Sequence, residues 1–150
     1  MSLRVFHALQ RAHTGLFRAA ERLLTAEFDV TAAQLGLVFA LQRHDGAPIA
    51  AVARELALAP SSMSGLVDRA VARGLVRREP NPEDARSHRL RLEPAGWDLA
   101  DRAGARVALI NRRLLQGYSP EERAAIARFL NDMATNADAL VGGATTRRRA

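Results

Sequence analysis

The 150-residue sequence predicts a mainly α-helical chain that carries one small two-stranded β ribbon. Three observations lead to that fold class. Apolar residues recur at spacings of three, four and seven, the stripe of an amphipathic helix. Helix start signals precede such stripes in "TAAQ", "APSS" and "SPEE". Strict alternation, the pattern of a half-buried strand, appears in "HRLRL".

The elements follow in order. Over residues 3–28, Phe6, Leu9, Leu16, Ala20, Leu23 and Leu24 form the first helical stripe. Thr31 and Gln34 make a T-x-x-Q capping box, so a second helix starts there and buries Leu35, Val38, Phe39 and Leu41. "RHDGAP" is a turn, and Pro48 suits the first turn of a short helix, "PIAAVAREL". Pro60 opens a further helix with Met63, Leu66, Val67 and Ala70 facing inward and Gly74 in the C′ position. "LVRRE" and "HRLRL" are two short strands joined by a proline-rich charged loop. Pro94 begins a long helix, and Ser119 caps another, with Pro120 at N1 and Glu122 at N3, that runs to about Val141. Residues 142–150, "GGATTRRRA", read as a flexible tail.

Composition narrows the functional classes. Hydrophobic content of 48% and charged content of 25% describe a globular chain, and no apolar run approaches membrane-spanning length. A soluble, cytoplasmic protein is expected, with no membrane partner. Cysteine is absent, which removes disulfides, thiolate catalysis and thiolate metal sites. There is no G-x-S-x-G elbow, phosphate-binding glycine loop or H-E-x-x-H, and the histidines at 7, 13, 44 and 88 lack helical ligand spacing. No enzyme, cofactor or metal is therefore expected.

The formal net charge is +6, and all 22 basic residues are arginine. Between Arg69 and Arg91 stand seven arginines against three acids, a local charge of +4. A basic stretch of this kind suits a polyanionic partner. A short helix, a turn and a second helix is the helix-turn-helix arrangement, and the ribbon after it adds a wing. The residues near the N-terminus of the second helix, Ser61, Ser62 and Ser64, would reach base edges or phosphates in a DNA major groove, with Arg69 and Arg73 meeting the backbone. Arg86 at the tip of the wing loop would enter the minor groove, steadied by an ion pair from Asp84 and by Pro80 and Pro82. Alternation turns Leu90 and Leu92 inward and Arg89 and Arg91 outward, Arg89 joining the DNA-binding set.

The stretch "APSSMSGLVDRAVARGLVRREPNPEDARSHRLRLEPAG" resembles the MarR family of winged helix-turn-helix regulators. The resemblance rests on the serine-rich helix, Leu66–Arg69 as L-V-D-R, Gly74–Val76 as G-L-V, Asp84 with Arg86 as D-x-R, and Leu92 with Gly96 as the closing L-x-x-x-G. It implies a DNA-binding region over 31–93 and a helical dimerisation region over 1–30 and 94–141. It also implies a homodimer on a pseudo-palindromic operator and a repressor released by a small aromatic or anionic effector. Arg11, His13, Phe17 and Phe39 are the candidate pocket lining by that analogy. Three departures stand out: Gly65 replaces a commonly basic or polar recognition residue, Ala70 replaces a usual leucine, and Ala59 lacks the usual capping hydroxyl. The alternative function is a winged-helix module turned to protein binding. Independently, a helix of about 23 residues spans about 35 Å and carries apolar surface that calls for a partner.

Overall fold

Helix boundaries in this chain are set by local chemistry, and the computed structural model, which describes residues 4–142, shows it at almost every end. Helix α1 (Val5–Phe28) stops where Asp29 turns left-handed at φ 54°, a conformation that Asp tolerates better than most residues. Helix α2 (Ala32–Arg43) begins with the predicted reciprocal cap. Thr31 Oγ1 accepts the Gln34 N–H at 3.2 Å and Gln34 Oε1 accepts the Thr31 N–H at 3.0 Å.

Helix α3 (Ile49–Glu55) differs slightly from expectation, because Pro48 lies just outside it as the N-cap. The Pro48 carbonyl accepts the N–H groups of Ala51 and Val52, so the proline starts the helix without being part of it. The connection to α4 (Pro60–Ala72) passes through Ala57 at φ 52°, a left-handed conformation that costs an L-residue about 1–2 kcal/mol. Pro60 stands in the first turn of α4, and Ala59 supplies no side-chain cap. Ala59→Ser should therefore raise stability by about 1 kcal/mol, read as a higher urea midpoint at unchanged slope. Gly74, at φ 67°, takes the chain out of the helix as predicted.

Strands β1 (Val76–Pro80) and β2 (His88–Leu92) pair antiparallel, with Val76 opposite Leu92, Arg78 opposite Leu90 and Pro80 opposite His88. Leu90 and Leu92 are buried, as the alternation requires. The turn between α2 and α3 then joins the ribbon, which the sequence did not reveal. Gly46 N–H donates to the Leu90 carbonyl at 2.9 Å, and Leu90 N–H donates to the Ala47 carbonyl at 3.0 Å. Asp45 Oδ1 accepts the Leu92 N–H at 2.8 Å.

Helix α5 (Pro94–Leu114) is followed by α6 (Pro120–Gly142). Ser119 and Glu122 form the predicted cap of α6, with N–H to side-chain bonds of 3.2 and 2.8 Å. The structure divides into two compact units, residues 1–106 and 107–150, with the boundary inside α5. The core belongs to the first unit. Leu37, Val38 and Leu41 of α2 pack there with Val52, Met63, Leu66, Val67, Val76 and Leu90, and α5 adds Leu99, Ala100 and Ala103.

Phe39, expected to be buried, packs against the core but is only partly enclosed, while Leu37 is completely enclosed. Of the stripe on α1, Leu24 is buried, but Phe6 and Leu16 are exposed. No single described helix is long and apolar enough to cross a membrane. The predicted tail beyond Gly142 lies outside the described residues.

Candidate nucleic-acid interface

Four buried side chains, Met63, Leu66, Val67 and Ala70, hold one face of α4 against the core. Helical periodicity then turns Ser61, Ser62 and Ser64 outward, and all three are exposed. Gly65 shares that outward side. A Cβ there would lie 3.3 Å from Arg69 Nη1, so the Arg69 guanidinium reaches back one turn and lies over the bare backbone. The missing side chain at 65 leaves space that Arg69 occupies.

The seven arginines between Arg69 and Arg91 divide sharply once ion pairs are traced. Arg73 binds Asp29 at 3.0 Å and Arg78 binds Asp68 at 2.6 Å. Arg77 holds Glu79 at 2.8 Å and Glu93 at 3.4 Å. Arg91 contacts Glu79 at 2.7 Å and Asp45 at 3.1 Å. Arg89 reaches Glu83 at 3.2 Å and donates from Nε to Asn81 Oδ1 at 3.0 Å. Among the described residues, only Arg69 and Arg86 of the seven have no acidic partner.

The local charge of +4 is therefore mostly neutralised within the protein, and two guanidinium groups remain to meet an anion. Exposed pairs contribute little to stability individually, so Arg73 and Arg89 are positioned by their acids rather than locked away. The ladder on the outer face of the ribbon is denser. Hydrogen bonds from Arg91 and then Arg77 hold the Glu79 carboxyl below the usual carboxylate range.

The wing loop is organised by a residue that the sequence reading passed over. Asn81 is buried although it stands between two prolines. Its Nδ2 donates to Ser87 Oγ at 2.8 Å, and its Oδ1 accepts the Glu83 N–H at 3.2 Å as well as Arg89. An Asn inside a charged, proline-flanked loop is the available signal, since its side chain readily bonds backbone two residues on.

Asp84 also acts differently from expectation. Its Oδ1 accepts the backbone N–H of Arg86 at 3.0 Å and does not pair with the guanidinium. A carboxylate spaced two residues from an amide closes a local turn more easily than it bends back to a long side chain. Asp84 thus fixes the backbone that carries Arg86, and the guanidinium projects unpaired. Arg86 is exposed.

Arg86 and Ser64 line one open groove of about 310 Å³ between α3, α4 and the wing. The tip of the recognition helix and the tip of the wing loop therefore border the same depression. Of the residues expected to line an effector pocket, the structure brings two together. His13 and Phe17 stack on α1 with ring centroids 4.3 Å apart. Arg11 points to a face of α1 roughly 200° from His13, beside His7 and Thr14. Phe39 packs on the core.

A short helix, a recognition helix with exposed hydroxyls, and an arginine-tipped ribbon define a winged-helix DNA-binding transcription regulator. The MarR family model matches residues 28–87. A MarR family transcriptional regulator from Silicibacter pomeroyi is 30% identical, covering 88% of this chain and 89% of its own, with a TM-score of 0.72. BpsR of Bordetella bronchiseptica is 26% identical over 88% of this chain and 99% of its own, with a TM-score of 0.77. The uncharacterised HTH-type transcriptional regulator YhbI of Bacillus subtilis is 25% identical, covering 77% of each chain. The chain belongs to the MarR family.

Proposed function

We propose that the protein is a cytoplasmic, sequence-specific repressor that binds a pseudo-palindromic operator as a homodimer and leaves it when a small effector binds. One observation carries the DNA-binding part of this reading. Ser64 and the unpaired Arg86 border a single groove, so the recognition helix and the wing offer hydrogen-bond donors and uncompensated positive charge side by side. Major-groove hydroxyls beside a minor-groove arginine match the division of labour in winged-helix binding. Ser61, Ser62 and Ser64 would face bases, Arg69 and Arg73 the phosphates, and Arg86, set by Asp84 and flanked by Arg89, the minor groove.

The homodimer is supported by apolar surface that the single chain leaves uncovered. In the first unit Phe6, Leu16 and Phe17 are exposed on α1. In the second, Leu114, Tyr118 and Leu130 border a groove of about 390 Å³ and are exposed as well. Two-fold pairing would repeat the recognition helix about one DNA turn away and so select an inverted repeat. Sedimentation at micromolar concentration should give a dimer, and a monomer would remove the half-site argument.

The effector part takes its support from BpsR, whose DNA binding is regulated by 6-hydroxynicotinic acid. An aromatic acid of that kind would call for an aromatic face and a cation. The His13–Phe17 stack of α1 and Phe39 of α2 are the proposed aromatic source, and Arg11, on another face of α1, the proposed cation. The reading as a whole is tested by sequencing DNA fragments enriched on the purified protein. An inverted repeat with half-sites about ten base pairs apart is expected, and no enrichment over bulk DNA would overturn it.

A further inference from the structure

The groove between α3, α4 and the wing contains a residue that the binding set above does not use. His88 opens β2 directly opposite Pro80. Strand periodicity places it on the same face as Arg78, Leu90 and Leu92, the face that looks towards α4. Leu90 and Leu92 are buried in the core, but His88, two residues beyond, emerges at the groove rim and is exposed. Its imidazole makes no hydrogen bond to any described residue.

The groove has two chemical zones. Ile49 and Ala53 of α3 contribute to an apolar floor, and Ser64, Arg78, Arg86 and His88 form a polar rim. A volume of about 310 Å³ lies at the lower end of small-ligand pockets, and this one is open. Such a space suits a segment of polymer passing over it better than a ligand enclosed within it. On the DNA-binding reading, a strand running from a major groove filled by α4 to a minor groove filled by the wing would cross here. The apolar floor matches a deoxyribose, and the donor rim matches its phosphate.

We infer that this groove seats one phosphodiester of that strand, with the imidazolium of His88 as a donor beside Arg86 and Arg78. The inference rests on the DNA-binding reading and adds to it a proton-linked contact. A histidine is the one side chain whose ordinary charge change falls between pH 5 and 8. The charged groups around His88 are accounted for. Arg78 comes from β1 and is already paired with Asp68 of α4. Arg86 comes from the loop, and the loop acids Asp84 and Glu83 are engaged by the Arg86 N–H and by Arg89 respectively. The α3 residues on the groove are uncharged. No acid among these bonds the imidazole, so a bound phosphate would be its principal anion, and binding should take up a proton.

The test is anisotropy with the enriched operator across a salt series at about pH 6 and about pH 8, the two sides of a histidine titration. Wild type should bind several-fold tighter at the lower pH, with a steeper salt slope. His88→Gln should abolish that difference and lower the acid-side slope by about 0.9, the value of one phosphate contact. His88→Arg should bind at the higher pH as wild type does at the lower, which separates lost charge from damaged fold. Retention of the full pH difference and slope in His88→Gln overturns the inference while leaving the regulator reading intact. Absence of salt-dependent binding in wild type overturns both.

Discussion

Arg86→Ala should weaken operator binding by about 1–3 kcal/mol, the magnitude of a groove-reading contact, and leave the unfolding midpoint where it is. The two halves of that expectation come from separate observations. The side chain is exposed and has no acidic partner among the described residues, so truncating it strands no buried group. Surface changes of that type stay within about 0.5 kcal/mol of neutral in stability. Binding is another matter. The backbone N–H of Arg86 is held by Asp84, and the loop is closed by Asn81 and Ser87, so the guanidinium is presented from a frame already ordered before DNA arrives. Little ordering cost remains to offset the contact. Anisotropy titrations at fixed salt, alongside urea unfolding, measure both halves. Unchanged affinity would take the wing out of the binding mechanism.

Gly96→Ala should have the reverse profile, a large loss of stability and a loss of DNA binding only through the shrinking folded population. A Cβ at Gly96 would stand 2.2 Å from the Leu75 carbonyl oxygen and 2.9 Å from Leu92 Cδ2. Leu92 could shift slightly, but the carbonyl could not. It accepts the Glu93 N–H at 3.0 Å, and the Leu75 N–H in turn donates to the Ala70 carbonyl at 3.0 Å. The clash therefore pushes α5 away from the end of α4, where Leu99 and Ala103 are buried. Overpacking in closed cores costs about 1–3 kcal/mol and sometimes more, and a backbone contact this short belongs at or above the top of that range. A urea midpoint equal to wild type would show that α5 is free to move outward.

That glycine illustrates what was legible in the sequence. It closes an L-x-x-x-G pattern, which carries the residue identity but not the reason, since the obstructing carbonyl lies 21 positions away. Local devices were readable because their parts lie within one turn of each other. The Thr31–Gln34 and Ser119–Glu122 caps, the exit at Gly74 and the inward leucines of β2 all belong to that class.

Pairing between distant segments was not readable. Seven nearby arginines look like one basic patch until Asp29 and Asp45, 44 and 46 positions from their partners, take up Arg73 and Arg91. The same limit concealed the merger of the Asp45–Ala47 turn with the ribbon. Asp84 was assigned to the correct neighbour but to the wrong group of it, because residue spacing does not distinguish an amide from the guanidinium on the same residue. The stripe on α1 was readable as amphipathic, whereas the exposure of Phe6 and Leu16 is not encoded at that level.

The stitching of the Asp45–Ala47 turn to β2 constrains how this protein could be switched off. A hairpin attached only by its own two ends could pivot and withdraw its arginine while the rest stayed on the operator. Here three hydrogen bonds tether the returning strand to the segment that leads into α3. In the proposed homodimer, release from DNA would therefore act by changing the distance or tilt between complete reading heads, because the base of each hairpin is tied to the segment before α3.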